Sequence, residues 1–386
     1  MRIVQKYGGS SVATSEHIKK IAENIKATKR VAEELVIVVS AMGKTTNNLI
    51  SLATECEKNP DKRDLDFLLV TGEMVSAALM SITLNGVGVP AVCYTGWQCG
   101  VKTNSQHGKA FITEINVGQI EKELANGRVV VIAGFQGVDE KGDITTLGRG
   151  GSDTSAVALA AALNAKCEIY TDVESVCFID PKRCNKTRKI HKIDYESMLT
   201  LASSGAKVLD VRCLEIGSKY NVDIYLGKTG ENDKNKGTMV MGNINGLEEM
   251  QILGLAVLDN LCLYKYKDFS VDRLLQNTQG YMQNLDLFLL ADSVAYISTK
   301  NMNLPIVDEQ NGQCEKYFDV SKITLAGTGF VTHGDVVYSV INLLKDSGVY
   351  PIHFYVTETA LYIFVKGQDE KICVDNLLER FHGQED

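Results

Sequence analysis

The chain is short of several things at once. Its ten cysteines (Cys56, Cys93, Cys99, Cys167, Cys177, Cys184, Cys213, Cys262, Cys314 and Cys373) include no Cys-x-x-Cys pair, and no histidine stands at short ligand spacing from any of them. That argues against a zinc site or a disulfide frame, so no protein-held metal, reduced thiols and a cytoplasmic setting are expected. Proline is scarce, five in 386 residues, and no low-complexity linker stands out. No apolar run reaches about 18 residues, so no membrane span or membrane partner is expected. Residues 1–6 lack the pattern of a secretory signal. Positive charge is in deficit: 40 Lys and Arg against 48 Asp and Glu leave a net charge of −8, which argues against a nucleic-acid partner.

What is present is glycine at the ends of apolar runs. Gly148-Arg149-Gly150-Gly151-Ser152-Asp153-Thr154-Ser155 leads into a stretch of strong helix formers, residues 156–163. Glycines let the backbone approach a ligand closely and enter dihedrals closed to other residues. Ser152 or Asp153 is expected to cap the helix. A glycine turn feeding a helix N-terminus gathers free N–H groups at the positive dipole end, which suits phosphate. Taken alone, the stretch also reads as an ordinary capped helix after a tight turn.

Other loops share the grammar. Residues 2–7 read as a strand running into Gly8-Gly9-Ser10-Ser11, with Ile18, Ile21 and Ile25 at helical spacing beyond. Lys6 beside a diglycine marks a second phosphate-type loop, or an ordinary turn with an exposed lysine. Residues 35–39 form a run of the buried parallel-strand kind that ends in Ser40-Ala41-Met42-Gly43-Lys44-Thr45-Thr46-Asn47. Gly-Lys-Thr there suggests a P-loop, but the required upstream glycine falls at Val38, which rejects that class. Residues 67–70 lead to Gly72-Glu73, and Glu73 is expected at a helix N-terminus, as a first-turn acid or as the partner of a substrate ammonium. The single tryptophan, Trp97, is expected in the core. Residues 128–133 and 167–170 read as further strands, the second ending at Thr171-Asp172, where a nucleotide can sit.

Strands and helices thus alternate to about residue 228, the signature of a mostly parallel α/β sheet sandwiched by helices. Ligands in such sheets bind outside the carboxyl ends of the strands, where these loops gather. From about residue 250 the pattern becomes two strand–helix–strand–strand–helix units in tandem, of ferredoxin-like α+β type. The first helix is expected near residues 271–275, with Ser270 as its cap. The expected organisation is a catalytic domain over residues 1–240 and a tandem pair over 248–386. Its units span about 250–315 and 318–386, with interleaving left open.

The motifs Lys6-Tyr7-Gly8-Gly9-Ser10-Ser11-Val12, residues 40–47, Gly72-Glu73-Met74-Val75-Ser76, Gly148–Asp153 as written above, Tyr170-Thr171-Asp172-Val173 and Gly205-Ala206-Lys207-Val208-Leu209 resemble, in order, those of the aspartate kinases. These belong to the amino-acid kinase superfamily and carry C-terminal ACT domains. The resemblance implies phosphoryl transfer from ATP, with Mg2+ carried by the nucleotide, to the β-carboxylate of L-aspartate. The product, 4-phospho-L-aspartate, opens the route to lysine, threonine, methionine and diaminopimelate. A carboxylate is already an anionic nucleophile, so the reaction needs charge neutralisation and in-line positioning rather than a general base.

The resemblance also assigns roles. Lys6 stabilises the transferring phosphoryl group with the N–H groups of Gly8 and Gly9, and Asp153 orients Lys6. ATP binding falls to Lys6, Gly8, Gly9, Ser10, Ser40, Thr171, Asp172, Lys182, Lys207 and Val208. Substrate binding falls to Thr46, Glu73, Arg149, Gly150, Gly151 and Ser152, with Arg149 on the α-carboxylate and Glu73 on the ammonium. The ACT pair implies an amino-acid effector, lysine or threonine, and a homodimer or higher homo-oligomer. Departures from the family pattern stand at Cys177 and Lys182, and at Asp210-Val211, where His-Pro or Gln-Pro is usual. Glutamate 5-kinase and a catalytically silent amino-acid sensor are the alternative readings.

Overall fold

The computed structural model describes residues 1–206, 208–231, 233–242, 250–267, 285–291, 294–299 and 313–382. They form two compact units. The first comprises Met1–Cys177, Lys189–Ala202 and Lys207–Asn245; the second comprises Phe178–Arg188, Ser203–Ala206 and Gly246–Asp386.

The first unit is built on an eight-stranded sheet: β1 (Arg2–Tyr7), β2 (Glu34–Val39), β3 (Ala91–Tyr94), β4 (Val129–Ala133), β5 (Lys166–Thr171), β6 (Lys192–Asp194), β7 (Ile224–Lys228) and β8 (Thr238–Met241). Its order is β6-β8-β7-β5-β1-β2-β4-β3. From β7 to β3 the neighbours are all parallel, and only β7–β8 is antiparallel. The central strands are runs of Val and Ile because both of their faces are covered. Val36, Ile37, Val38, Val39 and Val129, Val130, Val131 are all fully buried. Two short strands, Gln136–Val138 and Ile144–Thr146, form an antiparallel hairpin.

The helices of this unit are α1 (Ser15–Lys29), α2 (Thr45–Cys56), α3 (Lys62–Gly86), α4 (Gly118–Ala125), α5 (Gly151–Ala162), α6 (Tyr195–Ser203) and α7 (Val211–Tyr220). Ile18, Ile21 and Ile25 form the buried stripe of α1, and Thr14 caps it by accepting from the His17 N–H. α3 runs unbroken for 25 residues from its Asp61 cap. By length and composition it is the one helix among the described residues apolar enough to cross a membrane, which the run-length reading did not register, and half of its apolar window is buried within the protein. Trp97 is half-buried rather than in the core.

The second unit carries a six-stranded antiparallel sheet: β9 (Gln251–Lys267), β10 (Leu285–Ala291), β11 (Val294–Thr299), β12 (Gln313–Thr328), β13 (His353–Thr357) and β14 (Ala360–Lys366), in the order β10-β11-β9-β12-β14-β13. Helices α8 (Gly334–Asp346) and α9 (Glu370–Phe381) contribute Leu344, Leu377 and Phe381 to a core with Leu325, Leu361 and Ile363. Phe178 and Ile179 insert into the same core. The chain is therefore α/β followed by α+β, as its patterning implies. The helix expected at 271–275 lies outside the described residues.

Candidate active site

β1 and β5 are adjacent, and their connections leave in opposite directions, β1 towards β2 and β5 towards β7. This is the topological switch point, where open parallel sheets bind ligands. Lys6 lies on β1 between Val38 of β2 and Ile169 of β5. Its side chain is only 9% exposed, and Nζ is 2.5 Å from Asp153 Oδ1 in the first turn of α5.

The loops beyond these strands are stitched together by backbone hydrogen bonds. Gly8 N–H donates to the Tyr170 carbonyl at 3.1 Å, Ser40 N–H to the Tyr7 carbonyl at 3.1 Å, and Gly43 N–H to the Gly9 carbonyl at 2.9 Å. Gly8 has therefore committed the amide that was expected to help Lys6. A side chain at Gly9 is excluded, since a Cβ there would lie 2.8 Å from the Ala41 carbonyl oxygen.

Gly150, not Ser152 or Asp153, is the N-cap of α5, and it makes no side-chain cap. Its φ of 70° is left-handed, and a Cβ would lie 2.4 Å from the Asp210 carboxylate. Glycine is required there on both counts. Asp153 is unavailable as a cap because Lys6 holds it. Gly151 and Ser152 are buried just inside the helix, and Arg149, exposed before it, has no partner among the described residues.

Glu73 is not at a helix N-terminus. It lies in the middle of α3, 4% exposed, because Gly72 does not break that helix but lets it approach Ala41 and Thr45: a Cβ on Gly72 would lie 2.9 Å from Ala41 Cβ. Oε1 accepts from the Ala41 N–H at 3.0 Å, and Oε2 has no partner among the described residues. Burial pushes the carboxyl up to about 7, partly offset by the Ala41 hydrogen bond. A buried carboxylate oxygen without a donor is costly unless a ligand supplies one.

These contacts run without a break from Glu73 through Ala41 and the Gly8-Gly9 loop to Lys6 and Asp153, and along the first turn of α5 to Gly150 and Asp210. Thr46 is half-buried in the first turn of α2, and Ser40 is half-buried at the end of β2. Ser10, Thr171 and Asp172 line one pocket of about 280 Å3 with Ser11, Lys228 and Thr229. Val208 is half-buried before α7, and Lys207 lies outside the described residues. Lys182 is exposed and belongs to the second unit.

Two supporting residues escaped the sequence reading. Asp210 caps α7 by accepting from the Arg212 N–H at 3.0 Å, and burial raises its pKa, with the charge of Asp153 adding to the shift. The unusual Asp210-Val211 pair was the available signal. Asp66, 1% exposed, accepts from Gly108 N–H and from the Thr146 hydroxyl, fixing α3 against the strand before Gly148. Nothing local in the sequence marks it. His107, Asp139 and Asp143 also cluster within 4.8 Å, but Asp139 takes hydrogen bonds from Ser105, Lys141 and Asp143 while Asp143 pairs with Arg63, so the group locks a hairpin.

The family model of the amino acid kinase family matches residues 1–228. The aspartokinase of Geobacillus stearothermophilus is 38% identical over 365 residues, 90% of this chain and 89% of that one. The aspartokinase of Mycolicibacterium smegmatis is 34% identical over 407 residues, 98% and 96% of the two chains. Among solved structures, E. coli aspartokinase III in complex with aspartate and ADP (R-state) has the same fold, with a TM-score of 0.81 at 21% identity over 98% of this chain and 99% of that one. A lysine at a parallel strand end, facing an acid in a glycine-led helix, belongs here to a chain of the amino acid kinase family. Within that family the chain belongs to the aspartokinases.

Proposed function

We propose that this chain transfers the γ-phosphoryl group of ATP to the β-carboxylate of L-aspartate, giving ADP and 4-phospho-L-aspartate. The observation that carries the reading is the continuity between the buried Lys6–Asp153 pair and the half-satisfied carboxylate of Glu73. Lys6 supplies positive charge to the transferring phosphoryl oxygens, and Asp153 holds the ammonium in place. The free oxygen of Glu73 takes the substrate ammonium, and Arg149 takes the α-carboxylate in a bidentate pair. Gly150, Gly151, Ser152 and Thr46 line the amino-acid side, while Gly9, Ser10, Ser40, Thr171, Asp172, Lys207 and Val208 serve the nucleotide.

The substrate carboxylate is the nucleophile, so no side chain needs to remove a proton. The oxygen donors of Asp153 suit a hard cation, and Asp153 is the residue that would hold Mg2+ arriving on the nucleotide. When bound with the nucleotide, the ion would supply charge neutralisation for the phosphate oxygens. The setting fits the cytoplasm, on the route to lysine, threonine, methionine and diaminopimelate. The second unit is the place for an amino-acid effector: one neighbour of this fold is E. coli aspartokinase III in complex with lysine and aspartate (T-state), TM-score 0.75. A homodimer or higher homo-oligomer is the expected assembly.

The test is acyl-phosphate trapping with hydroxylamine in the presence of MgATP and either L-aspartate or L-glutamate. ATP-dependent hydroxamate from aspartate alone supports the reading. Hydroxamate from glutamate, or from neither with folded protein, overturns it.

A further inference from the structure

Arg149 is exposed and stands between Gly148 and Gly150, both left-handed with φ of 79° and 70°. The loop is closed by a hydrogen bond from the Gly151 N–H to the Gly148 carbonyl at 3.0 Å. A glycine on each side of the arginine gives the loop little stiffness of its own, so contacts from elsewhere set its place. Those contacts come from the first turn of α7. Its N-cap, Asp210, packs its carboxylate against Gly150, on one side of Arg149. Half-buried Arg212 donates from Nη1 to the Leu147 carbonyl, on the other side. Its Nη2 donates to the Ala110 carbonyl at 2.8 Å, and its guanidinium lies 4.6 Å from the centre of the Phe111 ring. Leu147 and Ala110 are fully buried, and the Ala110 N–H donates to the Thr146 carbonyl at 2.8 Å, so one side chain ties two adjoining segments.

We propose that Arg212 is a positioning residue for the amino-acid substrate. The proposal rests on the reading that Arg149 takes the substrate α-carboxylate, and Arg212 acts through Arg149. The Leu147 carbonyl is fixed just before Gly148, Asp210 bears on Gly150, and Arg149 between them is delivered to one place. A planar fork with two forward donors is what reaches two carbonyls at once, whereas the ammonium of a lysine reaches one. A bidentate grip on a carboxylate is sensitive to displacements of about 1 Å. The contacts of Arg212 are with residues 110, 111 and 147, none of which belongs to the nucleotide loops, so its effect falls on the amino acid.

The experiment compares the wild-type full chain with Arg212→Met, Arg212→Lys, Arg149→Ala and the double substitution Arg149→Ala with Arg212→Met. Each is taken through the hydroxamate assay and through limited trypsin digestion followed by mass spectrometry. Arg212→Met should raise the KM for aspartate about 10- to 30-fold and leave that for ATP within about twofold. Arg212→Lys should fall between it and wild type, and carries the comparison if Arg212→Met does not fold. The double variant should be no worse than Arg149→Ala alone, because an arginine that is gone cannot be misplaced. Trypsin should cut after Arg149 faster in Arg212→Met than in wild type, while cuts elsewhere keep their rates. Penalties that multiply in the double variant, equal rises in both KM values, or an unchanged aspartate KM in a folded variant overturn the proposal. A wild-type chain inactive with aspartate overturns the proposed function instead. Trypsin then decides alone: a faster cut at Arg149 supports the dependence of the loop on Arg212, and an unchanged rate overturns it.

Discussion

Asp153 Oδ1 lies 2.5 Å from Lys6 Nζ, with the two side chains 15% and 9% exposed. The pair joins a strand at the centre of the sheet to the first turn of the helix that follows the glycine loop. Removing one partner strands the other in a poorly solvated place, at a cost of about 3 kcal/mol. Asp153→Ala should therefore lower the thermal midpoint by several degrees as well as activity. The double substitution Lys6→Ala with Asp153→Ala should be less destabilised than the sum of the singles, because no orphan charge remains. Thermal melts of the three variants check this.

Glu73 gives a pH prediction. Its folded carboxyl titrates near 7 rather than at the ordinary 4.5 because it is buried. Between those values the folded chain holds more protons than the unfolded chain, so stability falls as pH rises across the window, by about 3 kcal/mol in all. Glu73→Gln should remove that slope in denaturant titrations and be the more stable form at pH 8. An ammonium substrate needs the ionised form, so the KM for aspartate should fall as pH rises through about 7. Glu73→Gln should flatten that profile and raise KM by about 10- to 100-fold, the loss of one charge-assisted contact.

Gly150 is constrained twice, by a φ of 70° and by Asp210, 2.4 Å from where a Cβ would sit. Gly150→Ala should cost about 1–3 kcal/mol and lose most activity through the displaced turn. Adding Asp210→Gly removes the clash but not the strained dihedral. The double variant should recover part of the stability, measured by urea midpoint, and not all of it.

Arg149 is exposed with no partner among the described residues. Arg149→Ala should leave stability within about 0.5 kcal/mol. Steady-state kinetics should show a raised KM for aspartate with that for ATP little changed.

Much of the first unit was legible because a buried parallel strand is written as an unbroken β-branched run, as in Val36-Ile37-Val38-Val39. The site was legible where glycine marks a loop. It was misread where glycine does something else. Gly72 sits inside α3 to admit Ala41, so Glu73 is mid-helix rather than first-turn. Gly150 supplies a left-handed cap, so Ser152 and Asp153 are not capping residues. The Ala41 amide, Asp210 and Asp66 act through contacts 32 to 80 positions apart, and no local pattern encodes those.

The most direct measurement of the central claim is the rate of ATP-dependent aspartyl hydroxamate formation by Lys6→Ala, after circular dichroism has shown that the variant is folded. A charge placed on the phosphoryl oxygens in the transition state predicts a loss of about 1,000-fold or more. A folded Lys6→Ala variant within tenfold of the wild-type rate would contradict the account.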